Sequence, residues 1–248
     1  MTTEIPGAAP APAEPKPNPF ARIIGVFVSP DATFASIAKR PDWVLPLLLI
    51  LIWAAVSGTM MANRLDFAAA AREAMESNKN MSAEQAERGE KFAATIGKVA
   101  SYASPAISVV IFLIIAGVLL LAYRLLGGEG TFKQAFSVTI YAWMPEVIKG
   151  IVTVIIMVMK GGVFSPLDLQ TIVRSNPAFL VDMKTNPVLF AVLANLDLFG
   201  IWTLVLFIIG FAHIARVSKA KSSAIAISLR LVIALFGLIG PALQSLRK

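Results

Sequence analysis

Five stretches of the chain are apolar for long enough to cross a bilayer as helices: residues 43–61, 105–123, 136–159, 188–214 and 222–244. A helix rises about 1.5 Å per residue, so about 20 residues traverse about 30 Å of hydrocarbon. Ahead of the first stretch the pattern is amphipathic. FARIIGVFV (20–28) is apolar around most of a helix and carries one arginine. SPDATFASIAKRP follows, with Ser29 suited to a cap, Pro30 to the first helical position, Asp31 to the positive helix end and Pro41 to a stop. These pieces predict two short helices, either lying on the membrane surface or packed ahead of the first span.

The links differ in kind. Residues 62–103 are polar and charge-balanced; RLDFAAAAREAMES is rich in helix formers, and Ser82 with Gln85 matches a capping box. A helical hairpin outside the bilayer is predicted there. The loop 160–187 holds Ser165-Pro166, Asn176-Pro177 and Asn186-Pro187, each a cap residue followed by a proline at a helix start. One or two short helices are expected, then the fourth span.

Composition agrees with this pattern. Of 248 residues, 57% are hydrophobic and only 15% charged, against about 25% charged in a soluble domain; the mean hydropathy is +0.74. The first 18 residues are an Ala/Pro tract, read as an extended, disordered tail without the basic leader and apolar core of a cleavable signal. The organisation is therefore a tail (1–18), amphipathic interfacial helices (19–42) and a five-span membrane domain (43–245). The fold class is an all-α integral membrane bundle. The net charge of +7 lies mostly beside apolar runs, which points to the lipid bilayer and its anionic headgroups rather than to nucleic acid. No cysteine and a single histidine, His213, leave no thiolate or histidine metal site, and no cofactor is implied. HExxH and GxSxG are absent and nothing sets a nucleophile against a base, so no catalytic residue is assigned.

Orientation follows from basic residues near span ends. Lys39 and Arg40 precede the first span, Arg124 and Lys133 bracket the link between spans two and three, and Arg216, Lys219 and Lys221 fill the link between spans four and five. In a five-span arrangement these share one side, which makes the N-terminus cytoplasmic.

Four ionisable residues interrupt the last three apolar stretches: Glu146 and Lys149 in the third, Asp197 in the fourth and Arg230 in the fifth. Charges at mid-helix in lipid cost roughly 2.5–3.5 kcal/mol each on insertion scales and normally face the bundle interior in pairs. Counting about 1.5 Å per residue from alternating faces puts all four roughly 12–19 Å deep, near one mid-membrane layer. Glu146 and Lys149 are also three apart on one helix. Pro145 removes a backbone hydrogen bond beside them. Two readings stay open: a structural set that neutralises itself and fixes helix register, or a pathway for an ion, proton or polar solute.

VFVSPDATFASIAKRPDWVLPLLLI (26–50), GGEGTFKQAFSVTIYAWMPEVI (127–148) and LDLFGIWTLVLFIIGFAHIARVSKAKS (196–222) together resemble the YIP-domain family, membrane proteins named for interaction with Ypt/Rab GTPases. The family's Tyr-x-x-x-Pro segment falls on Tyr141 and Pro145. The resemblance covers roughly residues 19–245. It implies five spans, a cytoplasmic N-terminus and, in eukaryotic members, a role in membrane organisation or vesicle traffic; it supplies no catalytic residues. The short Ala/Pro tail is similar to the bacterial branch, which implies a bacterial cytoplasmic membrane. The expectation is a non-enzymatic membrane component that organises or recruits, with a second copy or another membrane protein as its open partner. The alternative is a small transporter or channel using the charge layer.

Overall fold

In the computed structural model, residues 18–69, 72 and 82–246 are described, and they are almost wholly helical. Most of the Ala/Pro tail, the middle of the expected hairpin's first arm and the terminal Arg247-Lys248 lie outside the described residues.

Two short helices open the chain: α1 (Pro19–Val28) and α2 (Pro30–Lys39). Asn18 caps α1, its side chain accepting from the Phe20 amide at 2.9 Å, and each helix has proline in its first turn. They cross closely, because a side chain at Gly25 would meet the Thr33 hydroxyl at 2.4 Å. Val26, Phe34 and Ile37 are fully buried in the bundle, while Phe20, Ile24 and Val28 form an exposed apolar stripe on the other side of α1. α1 is thus packed on one face and apolar on its outer one, whereas the exposed positions of α2 are Asp31, Ala32 and Lys39.

The first long helix is α3 (Val44–Arg64). Across the polar link, α4 (Ala83–Tyr102) starts with the Ser82/Gln85 capping box made in both directions. Exposed Glu84–Arg88 and Glu87–Lys91 pairs line it. It runs into the second long helix, α5 (Ser104–Leu125), across a break just before Pro105. The third apolar stretch is two helices, α6 (Phe132–Ala142) and α7 (Met144–Lys160), joined at Trp143, with Pro145 in the first turn of α7. A proline inside the stretch removes one intrahelical bond, and the helix restarts there. Then come α8 (Leu169–Ile172), a 3₁₀ turn (Pro177–Leu180), α9 (Pro187–Ala194), α10 (Leu198–Ala215), α11 (Lys219–Gly237) and α12 (Ile239–Leu246).

Among the described residues, five helical stretches are long and apolar enough to cross a membrane: Val44–Arg64, Ser104–Leu125, Phe132–Lys160, Leu198–Ala215 and Lys219–Leu243. The course of the chain departs from the sequence expectation in the fifth stretch, which breaks at Leu238 between α11 and α12, and more sharply in the fourth. Residues 188–214 do not form one continuous helix. The chain turns at Asn195 and Leu196, and Asp197 becomes the cap of α10, with its side chain accepting from the Phe199 and Gly200 amides at 3.0 and 3.2 Å. A short carboxylate competes with the backbone in mid-helix and satisfies it at a helix start, which explains the position of the break.

The core sits where α2, α6 and α10 meet. A side chain at Gly210 would come within 2.4 Å of Val138 and 3.0 Å of Phe34, so glycine is what lets the three helices converge. Tyr123 stacks on Phe211 with centroids 4.8 Å apart and donates its hydroxyl proton toward Ser222 on α11. At this same end the two short basic links meet: Arg216 pairs with Glu129 at 3.1 Å, and Gln134 donates to the Ala38 carbonyl at 2.7 Å. At the other end, backbone hydrogen bonds between Arg64–Asp66 and Phe164 tie the end of α3 to the segment after α7.

Candidate functional site

The ionisable residues of the apolar stretches lie in one neighbourhood, around Gly200 on the first turn of α10. Lys149, one turn into α7, donates to Asp197 Oδ2 at 2.9 Å. The same oxygen accepts from the Ser175 hydroxyl and from Asn176 Nδ2 at 3.3 Å. Oδ1 takes the two amides of α10. Asp197 is therefore buried, 5% exposed, and surrounded by donors from four places: a lysine, a serine, an asparagine and a helix N-terminus. A carboxylate offers about four lone-pair sites, so this one has no capacity left.

Glu146 and Arg230 border the same glycine from different helices. A β-carbon at Gly200 would lie 3.7 Å from Glu146 Oε1 and 3.6 Å from Arg230 Nη2. Neither forms an ion pair within 4.0 Å among the described residues. All four residues singled out in the sequence thus share one locality, but only Lys149 and Asp197 touch. Pro145 precedes Glu146 in the first turn of α7. The Glu146 carboxylate borders a cavity of about 230 Å³ between α3, the α4–α5 junction and the start of α7, which Trp53, Ser57, Ser104, Ser108 and Trp143 also line.

The other family-motif residue, Tyr141, is fully buried in a second network. Its hydroxyl donates to Asp42 Oδ1 at 3.3 Å. Asp42 also receives the Arg22 guanidinium, which donates besides to the Arg40 carbonyl at 2.9 Å and to Ser36 Oγ at 2.8 Å. Arg22 is 5% exposed. This arginine was visible in the sequence only as the one charge of an otherwise apolar piece; its partners lie 14–20 residues further on, beyond the reach of helix periodicity. Ser175 and Asn176 were likewise not anticipated as partners of Asp197, although the Asn-Pro signal at 176 located the turn that carries them.

Outside the apolar stretches, Asp31 of α2 accepts from Lys219 at 2.7 Å and faces His213 Nε2 at 3.1 Å. Hydrogen bonding from the Lys219 ammonium, and then from His213, holds the Asp31 carboxyl below its ordinary value. No group of three or more His, Cys, Asp or Glu is placed to hold a metal ion among the described residues.

The chain is 27% identical over 234 residues to "Membrane protein YknW" of Bacillus subtilis (strain 168), a match covering 94% of each chain. No solved structure matches it. The pattern that defines the Yip1 domain matches residues 24–240, which takes in α2, part of α1, nearly all of the five long apolar stretches and the network around Asp197, and the chain therefore belongs to the Yip1-domain family of multi-pass membrane proteins.

Proposed function

We propose that this Yip1-domain protein is a non-enzymatic membrane component that organises the bilayer or recruits a partner to it. In this reading its N-terminus and basic links face the cytoplasm of a bacterial cell, against anionic headgroups. The buried charges serve the bundle: they hold α7, α10 and the loop after α7 in one register. The observation that carries this is the saturation of Asp197, whose two oxygens accept from Lys149, Ser175, Asn176 and two amides. An acid with every acceptor site occupied by fixed protein donors is poorly suited to take up and release a proton or ion.

The test is a paired substitution, Asp197→Asn with Arg230→Gln. Membrane localisation should persist at equal folded protein, and proteoliposomes should show the same background ion and solute flux with either chain. A flux carried by the unsubstituted protein and abolished by the pair would refute the scaffold reading. The second reading, a small transporter or channel, is favoured by one observation: a cavity reaches Glu146. Its mark would be a flux that Glu146→Gln removes while Asp197 is intact.

A further inference from the structure

The cavity beside Glu146 has a consistent chemical polarity. Four serines line it, and each hydroxyl proton is already committed to a backbone carbonyl: Ser57 to Trp53, Ser101 to Gly97, Ser104 to Ala54 and Ser108 to Ser104, all at 2.8 Å. A hydroxyl has one proton and two lone pairs, so what remains to each serine is acceptor capacity. Glu146 adds a carboxylate, acceptor-only when ionised, with no ion pair within 4.0 Å among the described residues. Lys149, the nearest cation along the helix, is held by Asp197, and Arg230, which borders Gly200 together with Glu146, forms no ion pair with that carboxylate within 4.0 Å among the described residues. The indoles of Trp53 and Trp143 line the cavity as well, with Ile50, Met61, Phe112 and Val147 as further apolar wall. The Trp53 nitrogen lies against the backbone at Gly150, where a β-carbon would approach it to 3.1 Å, and Trp143 is packed edge-on against Phe112 at 5.5 Å.

Oxygen lone pairs, one carboxylate and two aromatic rings are what a cation with N–H donors requires. At about 230 Å³ the space is below the roughly 300 Å³ where drug-sized pockets begin, so the occupant is small. We infer that the cavity between α3, α5 and α7 is a binding site for a small protonated amine, with Glu146 as its counter-charge, the serine oxygens as hydrogen-bond acceptors and the two indoles as walls. Occupancy does not depend on whether the bundle moves a solute, so the site is compatible with a scaffold that senses an amine as well as with a transporter.

Trp53 and Trp143 make the test direct. The full chain in lipid nanodiscs is titrated with n-propylammonium chloride, and with n-propanol and sodium propionate as the neutral and anionic counterparts, while tryptophan emission is followed. The expected result is a saturable change with the ammonium only, weakened at least tenfold by Glu146→Gln. Should that variant fail to fold, Ser108→Leu, which fills the cavity and keeps the carboxylate, must abolish the change. No saturable response to the ammonium, an equal response to propanol, or a response that survives in folded Glu146→Gln or Ser108→Leu would overturn the assignment. Binding without flux would leave the scaffold reading standing, and binding with flux would remove it while the site remained.

Discussion

Asp197 and Glu146 approach the same glycine, yet one is closed and the other open. The difference lies in what kind of backbone surrounds each. Asp197 sits where a helix starts and where irregular chain folds back onto it, so free amides, Ser175 and Asn176 are at hand. Glu146 also borders a cavity against α3 and the α4–α5 junction, whose serines have already turned their protons onto backbone carbonyls. In a bundle of apolar helices, donors for a buried acid come from breaks in the helices. A carboxylate whose neighbouring hydroxyls already donate to backbone carbonyls keeps its acceptor capacity.

The sharpest way to break this contrast is Asp197→Ala. It strands a partly buried lysine and the donors of Ser175 and Asn176, a loss approaching the roughly 3–5 kcal/mol of broken buried ion pairs. Thermal unfolding in detergent should show it, and replacing the pair together, Lys149→Met with Asp197→Leu, should be less damaging than the single change. A single variant as stable as the parent would mean that Asp197 is not the closed site described here. The second effect concerns the other buried network. Arg22→Met removes charged hydrogen bonds to Asp42, Ser36 and Arg40, each worth about 1.5–3 kcal/mol. The expected outcome is faster proteolysis within residues 18–42 with the five long helices still resistant.

Glu146→Gln should be nearly silent in stability, within about 0.5 kcal/mol, as for a change that breaks no buried hydrogen bond. A melting-temperature drop comparable to that of Asp197→Ala would show that the two acids are not different in kind. The smallest effect belongs to Asp31. Its carboxyl is held below the ordinary value in the folded protein by Lys219 and His213. Its contribution is therefore present above the unfolded value, near 3.9, and is lost as pH falls through the lower folded value. Lys219→Ala should raise the Asp31 value toward the ordinary one, followed by NMR of the side-chain carboxyl, with little change in stability because the pair is exposed.

Much of the architecture was legible in the amino-acid sequence. Apolar length located the long helices, Ser82 with Gln85 announced the start of α4, and Pro145 marked the break between α6 and α7. The sequence also singled out Glu146, Lys149, Asp197 and Arg230 as charges in apolar stretches, but it did not show that among these only Lys149 and Asp197 pair while Glu146 and Arg230 border Gly200. The continuity of residues 188–214 was misread there, since hydropathy averaged over a window passes over Asn195 and Asp197, whereas a carboxylate's preference for a helix start decides the local course of the chain.

What the sequence determined by itself was everything that depends on near neighbours: which segments are helical, how long they are, where caps and prolines interrupt them, and that the whole belongs in lipid. Only the tertiary structure decided which polar groups meet. Arg22 with Asp42 and Tyr141, Asp197 with Ser175 and Asn176, and the acceptor-lined space beside Glu146 all join residues from separate segments. Their geometry is set by how closely helices approach at Gly210 and Gly150 and by where irregular chain folds back. Helix formation is governed by contacts within one or two turns, while pairing of buried charges is governed by packing across the bundle, which no local pattern encodes.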